Sequence, residues 1–272
     1  MPEANQPEVQ RLASFLHEAQ CIAFLTGAGM STESGIPDFR SPTGVYANRP
    51  NGNVFDIDAF KDDPGAFYAF IHPRYREMLD ADPNPGHLAI VALEEEFGKQ
   101  IEIATQNIDM LHERAGSSCV HTLHGTIEYA TCMRCGDGLP LEEILPRIEK
   151  GRVPRHSACG GVMKPDIVFF GEQLPVDKLM ASQTAMEEAD LVIIVGTSLV
   201  VHPAAALPCL RRSETKLAIL NKTPTYLDEE ADVLLREPAG EVLPAVLRAM
   251  RELSKTGGVL KTDTSLTGDT EE

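Results

Sequence analysis

The chain has 272 residues, with 24 Lys+Arg against 41 Asp+Glu and a formal net charge of −17. That length fits one large domain or two modest ones, and a core of that size needs no disulfides. At 43% hydrophobic residues and strongly acidic, the composition excludes global disorder, a collagen-like chain and a generic nucleic-acid binder, which would carry a basic stripe.

The N-terminus lacks a cationic segment followed by an apolar one, so no secretory signal is expected. The longest continuous apolar run, Leu191–Val195, is far short of the ~18 residues a membrane helix needs. The expectation is a cytoplasmic monomer with no membrane partner and no direct nucleic-acid binding. Val9, Leu12, Phe15, Leu16 and Ala19 recur at helical spacing and predict a helix over about 8–20. Residues 21–25 follow as an unbroken apolar run, and three more such runs stand at 101–104, 191–195 and 217–220. Runs without alternation suit strands buried on both faces of a parallel sheet. Helix-like stretches at 86–97, 177–188, 203–211 and 240–253 alternate with them, which predicts an α/β fold.

Two regions break the alternation. Residues 40–85 are rich in Pro, Gly, Asp and aromatics, with short helical pieces around 56–80; residues 129–164 carry paired Cys and Gly and a short helix near 141–149. Both read as insertions that build a second, smaller module. The larger domain then comprises 1–39, 86–128 and 165–254. Residues 255–272 have little apolar content and predict a disordered tail.

The first strand ends in Gly27-Ala28-Gly29-Met30-Ser31, a phosphate-loop candidate. The dinucleotide fingerprint wants a third Gly at position 32, where Thr32 stands, so a plain turn remains open. Ile36-Pro37-Asp38-Phe39-Arg40 follows, and Arg40 could clamp a phosphate in bidentate fashion. The second strand ends in Gln106-Asn107-Ile108-Asp109. In open α/β sheets ligands bind beyond the C-terminal strand ends. Asn107 could pair with a carboxamide and Asp109 could accept from its NH2, or both could cap a helix. Gly196-Thr197-Ser198 and Asn221 end two further strands with small polar residues.

Of eight histidines, His124 in Leu-His-Gly suits a general base, although a lone His is more often structural. His112, three residues after Asp109, could orient its neighbours; His17, His72, His87 and His202 read as structural. Cys132-x2-Cys135 and His156-x2-Cys159 form a four-ligand pattern for one Zn2+, with Gly136 and Gly160-Gly161 supplying the turns. Four protein ligands make a closed, structural site. Cys21, Cys119 and Cys209 fall outside it and read as free thiols.

Together, GAGMSTESGIPDFR (27–40), TQNIDMLHERAG (105–116), LHG (123–125), CMRC (132–135), KPDIVFFGE (164–172), GTSLVVHPAAALP (196–208) and Asn221 are similar to the sirtuin family of NAD-dependent protein-lysine deacylases. The resemblance spans about residues 8–250, and FDIDAFKDDPGAFYAF (55–70) looks most like bacterial and archaeal members that act on acetyl-lysine. It implies a Rossmann-like parallel sheet with helices on both faces, plus a smaller zinc-binding and helical module. It implies NAD held by Gly27, Ala28, Gly29, Ser31, Asp38, Phe39 and Arg40, with Arg40 near the pyrophosphate and Phe39 shielding the reacting C1′. Ile36, Asn107 and Asp109 would line the nicotinamide and ribose pocket, and Gly196, Thr197, Ser198 and Asn221 the adenosine half. Gln106, Ile108, Lys222 and Ala239 complete the cofactor set. His124 would be the base, with Asn107 beside it, and Val168, Phe169, Gly171 and Val201 would clamp an acetyl-lysine peptide as an added strand. The implied products are free lysine, nicotinamide and 2′-O-acetyl-ADP-ribose. The family normally has Cys where His156 stands. Desuccinylating members carry Tyr-x-x-Arg; here Tyr68 is followed by Ile71 and Tyr75 by Met78, so deacetylation is expected. The alternatives are mono-ADP-ribosyl transfer or removal of other acyl groups. A hydride-transferring dehydrogenase is disfavoured by the missing glycine, and a bare zinc-ribbon binding module does not need His124 with Asn107 and Asp109.

Overall fold

A computed structural model describes residues 6–38, 44, 54–148 and 150–255. Its centre is a six-stranded sheet, all parallel, in the order β3-β2-β1-β7-β8-β9. The strands are β1 (Cys21–Thr26), β2 (Gln100–Thr105), β3 (Val120–Thr122), β7 (Leu191–Val195), β8 (Lys216–Leu220) and β9 (Val233–Leu235). Every residue of β7 is buried, as a strand covered on both faces requires.

Helices α1 (Gln6–Glu18), α4 (Pro85–Phe97) and α8 (Ala239–Lys255) share one core cluster with one face of the sheet. The α1 helix turns Val9, Leu12, Ala13 and Leu16 inward. On the other face α7 (Val176–Glu188) and the 204–210 segment pack against Ala23, Leu25, Val192 and Ile194. The stretch expected as a helix over 203–211 is a 3-10 helix, Ala204–Leu210, with Pro208 inside it. Proline removes a backbone donor that an α-helix would use. Lys255, expected as the first residue of the tail, instead closes α8; residues 256–272 lie outside the described residues.

A second, smaller assembly stands beside the six-stranded sheet among the described residues. Helices α2 (Ile57–Asp62), α3 (Pro64–Asp80) and α6 (Leu141–Ile148) surround an antiparallel sheet of β5 (Gly138–Pro140), β4 (Gly125–Cys132) and β6 (Met163–Ile167). Asp56 caps α2 and Asp63 caps α3, each through two backbone N–H groups, so the chain turns sharply between the helices. Phe60, Phe67, Tyr68, Tyr75, Ile127 and Phe169 fill its core. Phe169 sits with ring centroids 5.0 Å from Phe67 and 5.3 Å from Phe60.

Candidate functional site

The C-terminal ends of β1, β2, β7 and β8 open into one cavity of about 970 Å³. That lies at the upper end of the range for small-molecule sites. Its rim is built by a close approach of two loops. The N–H of Gly27 donates to Val195 O at 3.0 Å, and that of Gly29 to Gly196 O at 2.8 Å. A Cβ on Gly29 would lie 2.7 Å from Gly196 Cα, and one on Gly196 only 2.3 Å from Met30 N. Gly196 also has φ 62°, which favours glycine. These glycines serve loop-on-loop packing.

The glycine loop does not lead into an α-helix. It winds as two 3-10 turns, Ala28–Met30 and Thr32–Ser34, closed by Gly35 at φ 88°. It is tied to two helix starts. Asn84, which caps α4, donates from Nδ2 to Met30 O at 2.7 Å. Glu33 accepts from Gly240 N at 2.6 Å at the start of α8.

Below the loop lies a buried polar network. Ser31 Oγ donates to Asp109 Oδ2 at 2.6 Å. Asn107 Nδ2 donates to Ser31 Oγ and to Gly27 O, both at 3.1 Å. Asp109 Oδ1 accepts from Leu111 N at 3.0 Å at the start of helix α5 (Leu111–Ala115). Burial raises the Asp109 carboxyl pKa, and the Ser31 and backbone donors oppose that rise. Gln106 reaches across to Thr197 Oγ1 at 3.0 Å.

His124 is the titratable ring at the junction of the two sheets. Its Nδ1 lies 3.0 Å from Gln106 O. A carbonyl only accepts, so Nδ1 carries the proton and Nε2 keeps its lone pair. Burial lowers the His124 pKa, partly offset by that hydrogen bond, so the ring is neutral at pH 7. The His124 carbonyl in turn accepts from Val168 N at 2.8 Å, which fixes the segment after β6 beside it.

Among the described residues, the cavity brings together Gly27, Ala28, Gly29, Ser31, Ile36, Asp38, Gln106, Asn107, Ile108, Asp109, His124, Gly196, Thr197, Ser198, Asn221, Lys222 and Ala239. Val168, Phe169, Gly171 and Val201 line it as well. Phe39 and Arg40 lie outside the described residues. Phe169 differs from a simple clamp residue: its ring is in the aromatic core and its N–H donates to Glu172 Oε2 at 2.8 Å. His202, read as structural, lines the cavity too. The sequence reading missed Arg74, Glu77 and Met78 of α3, along with Glu172 and Pro238. No motif marks the three α3 residues, which packing delivers with no spacing signal, whereas Glu172 closes the KPDIVFFGE segment and Pro238 precedes Ala239, so both stand beside residues already singled out. Arg74 stacks 4.0 Å over Phe70 and donates to Phe70 O at 2.6 Å, so its guanidinium is already engaged.

The four expected metal ligands meet away from the cavity. Cys132 and Cys159 sulfurs are 3.4 Å apart, and Cys135 Sγ is 3.3 Å from His156 Nδ1. Cys159 Sγ lies 3.5 Å from both Cys135 Sγ and His156 Nδ1. Donors so clustered fit one tetrahedral zinc, whose bonds are roughly 2.0–2.3 Å. His156 Nε2 faces Asp137 Oδ2 at 3.7 Å, the carboxylate-behind-histidine arrangement that orients a ligating imidazole. A Cβ on Gly161 would lie 2.5 Å from Cys132 Sγ, so the knuckle leaves no room for a side chain.

A parallel sheet with polar strand ends, a glycine loop, a buried Asn–Ser–Asp network and a separate Cys3His knuckle defines a nucleotide-binding α/β protein with a structural metal module. The model of the Sir2 family matches residues 27–203, and the chain belongs to that family. It is 42% identical over 245 residues to NAD-dependent protein deacetylase 1 of Pyrobaculum aerophilum, covering 90% of this chain and 95% of that one. It is 43% identical over 225 residues to the NAD-dependent protein deacetylase of Thermotoga maritima, covering 82% and 91%. A solved Sir2 enzyme structure superposes with a TM-score of 0.85 at 38% identity, over 91% of this chain and 99% of that one. A Sir2 structure holding a p53 peptide and NAD+ superposes with a TM-score of 0.79 at 40% identity, over 91% and 98%.

Proposed function

We propose that this protein removes acetyl groups from lysine side chains of proteins or peptides and consumes NAD in doing so. The observation that carries the reading is His124, neutral, with Nδ1 anchored on Gln106 O and the ring lining the same cavity as Asn107 and Asp109. The relatives' names and the NAD- and peptide-bound Sir2 structure support it.

The residues present fit NAD. Gly27, Ala28, Gly29 and Ser31 with Gly196, Thr197, Ser198 and Asn221 would hold its phosphates and adenosine half. Asn107, Asp109, Ile36 and Ile108 would take the nicotinamide end, the carboxamide exchanging hydrogen bonds with the buried Asn–Asp pair. Bound NAD supplies an electrophilic ribose carbon with nicotinamide as leaving group. His124 Nε2 takes a proton from the ribose hydroxyl and so makes that oxygen a nucleophile toward the acyl carbon. Val168, Gly171 and Val201 would position the acyl-lysine strand, and the apolar side chains of Phe55, Ile71 and Ile167, which line the same cavity, would help to exclude water from the reaction. Cys132, Cys135, His156 and Cys159 would hold one structural zinc. The reading also places the protein in the cytoplasm as a monomer; among the described residues no helix is long and apolar enough to cross a membrane.

Mass spectrometry of an acetyl-lysine peptide incubated with and without NAD tests the reading. The expected result is NAD-dependent loss of acetyl together with 2′-O-acetyl-ADP-ribose. Protein labelling by ADP-ribose without loss of acetyl replaces it with mono-ADP-ribosyl transfer. With Ile71 and Met78, not Arg, three residues after Tyr68 and Tyr75 of α3, and with Arg74 held by Phe70, deacetylation should outrun desuccinylation; the reverse order refutes the acyl assignment.

A further inference from the structure

A second cluster of metal-ligating side chains lies at the β3 edge of the large sheet. Cys119 and His121 stand two residues apart, so strand alternation sends both side chains to one face. His121 pairs with Ala104 of β2, which puts Glu102, two residues earlier, on that same face. Cys119 Sγ lies 2.9 Å from Glu102 Oε2, and His121 Nε2 lies 2.6 Å from the same oxygen. Sulfur and imidazole nitrogen are 3.8 Å apart, and one ligand atom from each residue falls within 4.8 Å of the others. The His121 side chain is 12% exposed and that of Glu102 is 44% exposed, so the cluster is walled on one side and open to solvent on the other. Glu94 of α4 and Lys178 of α7 are the other charged groups acting on Cys119. Two carboxylates against one ammonium leave the surroundings favourable to a cation.

We propose that Glu102, Cys119 and His121 form a second transition-metal site, which takes Zn2+ or a similar borderline ion such as Co2+ or Ni2+. One thiolate, one imidazole and one carboxylate match that class, whereas Mg2+ and Ca2+ prefer all-oxygen cages. On binding, the Cys119 thiol gives its proton to solvent, and thiolate plus carboxylate neutralise the dication. The present spacings are those of hydrogen bonds. Donors around a tetrahedral ion sit about 3.3–3.8 Å apart, so the Glu102 carboxylate, more exposed than His121, has to back away by less than ~1 Å. Three protein ligands leave the fourth position to water, unlike the closed Cys3His knuckle. Strand β3 runs on through Leu123 into His124, so a filled site pins the edge strand that carries that ring. The site lies outside the large cavity and stands apart from the deacetylase reading.

Equilibrium dialysis of the zinc-loaded protein against micromolar Zn2+, with metal counted by mass spectrometry, tests this. Wild type should hold one equivalent more than the Cys119→Ser/His121→Ala variant. Excess Zn2+ should raise the Tm of wild type and not of the variant. Cobalt(II) added to the zinc-loaded protein should give thiolate-to-metal charge-transfer absorption in wild type and none in Cys119→Ser. Equal metal content in wild type and double variant overturns the proposal, as does cobalt absorption that survives Cys119→Ser. The difference in equivalents between the two proteins is independent of how well the Cys3His site is filled.

Discussion

His124 and His156 are anchored in opposite senses. His124 has Nδ1 on a backbone carbonyl at 3.0 Å, and Nε2 is the ring's accepting atom at a large cavity. His156 has Nδ1 among thiols, 3.3 Å from Cys135, and Nε2 turned to the Asp137 carboxylate at 3.7 Å. In both rings a neighbour that accepts fixes which nitrogen carries the proton, and the other nitrogen keeps its lone pair. What that lone pair meets decides the role. On the proposed reading, the lone pair facing a cavity that can hold a hydroxyl would act as a base, and the one among sulfurs would ligate a metal. Residue type is shared; the partner of each nitrogen is not.

The strongest way to break the comparison is to remove the ligand histidine. A structural zinc contributes roughly 10–16 kcal/mol in small zinc-binding peptides, so the small sheet should not survive its loss. His156→Ala should lose most of the zinc bound at the knuckle, melt the β4-β5-β6 region and take activity to background. His156→Cys should keep the metal, because four thiolates also fit zinc. Metal analysis of the three proteins checks this, and a wild type without zinc at the knuckle would sink the assignment.

The matching test on the other ring moves chemistry and not fold. General-base catalysis is worth roughly 10²–10⁴-fold, so His124→Ala should lose ~10²-fold or more in deacetylation. Its Tm and its NAD affinity should stay near wild type, measured by thermal melting and calorimetry. Wild-type-like turnover removes His124 from the mechanism.

The difference between the two sites also governs how much could be read from the sequence. The knuckle is local: the spacing of Cys132, Cys135, His156 and Cys159 announces it. The long buried strands were legible too, because β1 and β7 are unbroken apolar runs. Strands β3 and β9 are three residues each, too short for any period to show, and sheet order is set by packing. At the strand ends, Asn107, Asp109 and His124 could be placed by position, yet the Ser31–Asp109 and His124–Gln106 bonds join residues whose approach depends on tertiary register. The same holds for the β3 edge. Cys119 reads as a free thiol until the pairing of β2 with β3 sets Glu102 beside it.

A buried histidine pair sharpens the comparison from a third side. His87 and His112 rings lie 4.8 Å apart in the core beside the strand ends. His87 Nδ1 accepts from Asn84 N at 3.3 Å, and His112 Nε2 meets Thr26 Oγ1 at 3.0 Å. The other nitrogens, His87 Nε2 and His112 Nδ1, have no partner among the described residues. Among the described residues neither ring lines the large cavity or belongs to a cluster able to hold a metal, and burial pushes His87 from 6.5 down to about 4. The folded pKa is depressed, so the unfolded chain binds the extra proton first. Stability is therefore full above pH 6.5 and falls as pH drops toward 4, by about 3 kcal/mol for His87 alone. His112 is shifted the same way and adds to the loss. Urea unfolding at pH 7 and pH 5 measures the slope. His87→Gln, which can keep the capping role at that helix position, should flatten it.

The smallest expected effect is on the pH profile of the reaction, and it separates His124 from an exposed imidazole. An exposed ring near 6.5 would protonate as pH falls through that value and lose its basic lone pair. Burial lowers the His124 pKa because the cation is poorly solvated there, and the Gln106 carbonyl returns only part of that. Protonation is therefore delayed. The acid limb of kcat/KM, which reports the free enzyme, should break below pH 6.5. A break above 6.5 would mean that the cation is stabilised by more than burial costs it, which the one neutral carbonyl at Nδ1 does not achieve, and would point to a carboxylate reaching Nε2 in solution. The Asp109 carboxyl is shifted upward by burial and lines the same cavity, so it titrates toward the same window from below. Asp109→Asn removes that group and should leave the position of the limb unchanged, so the limb belongs to His124 only if it survives that substitution.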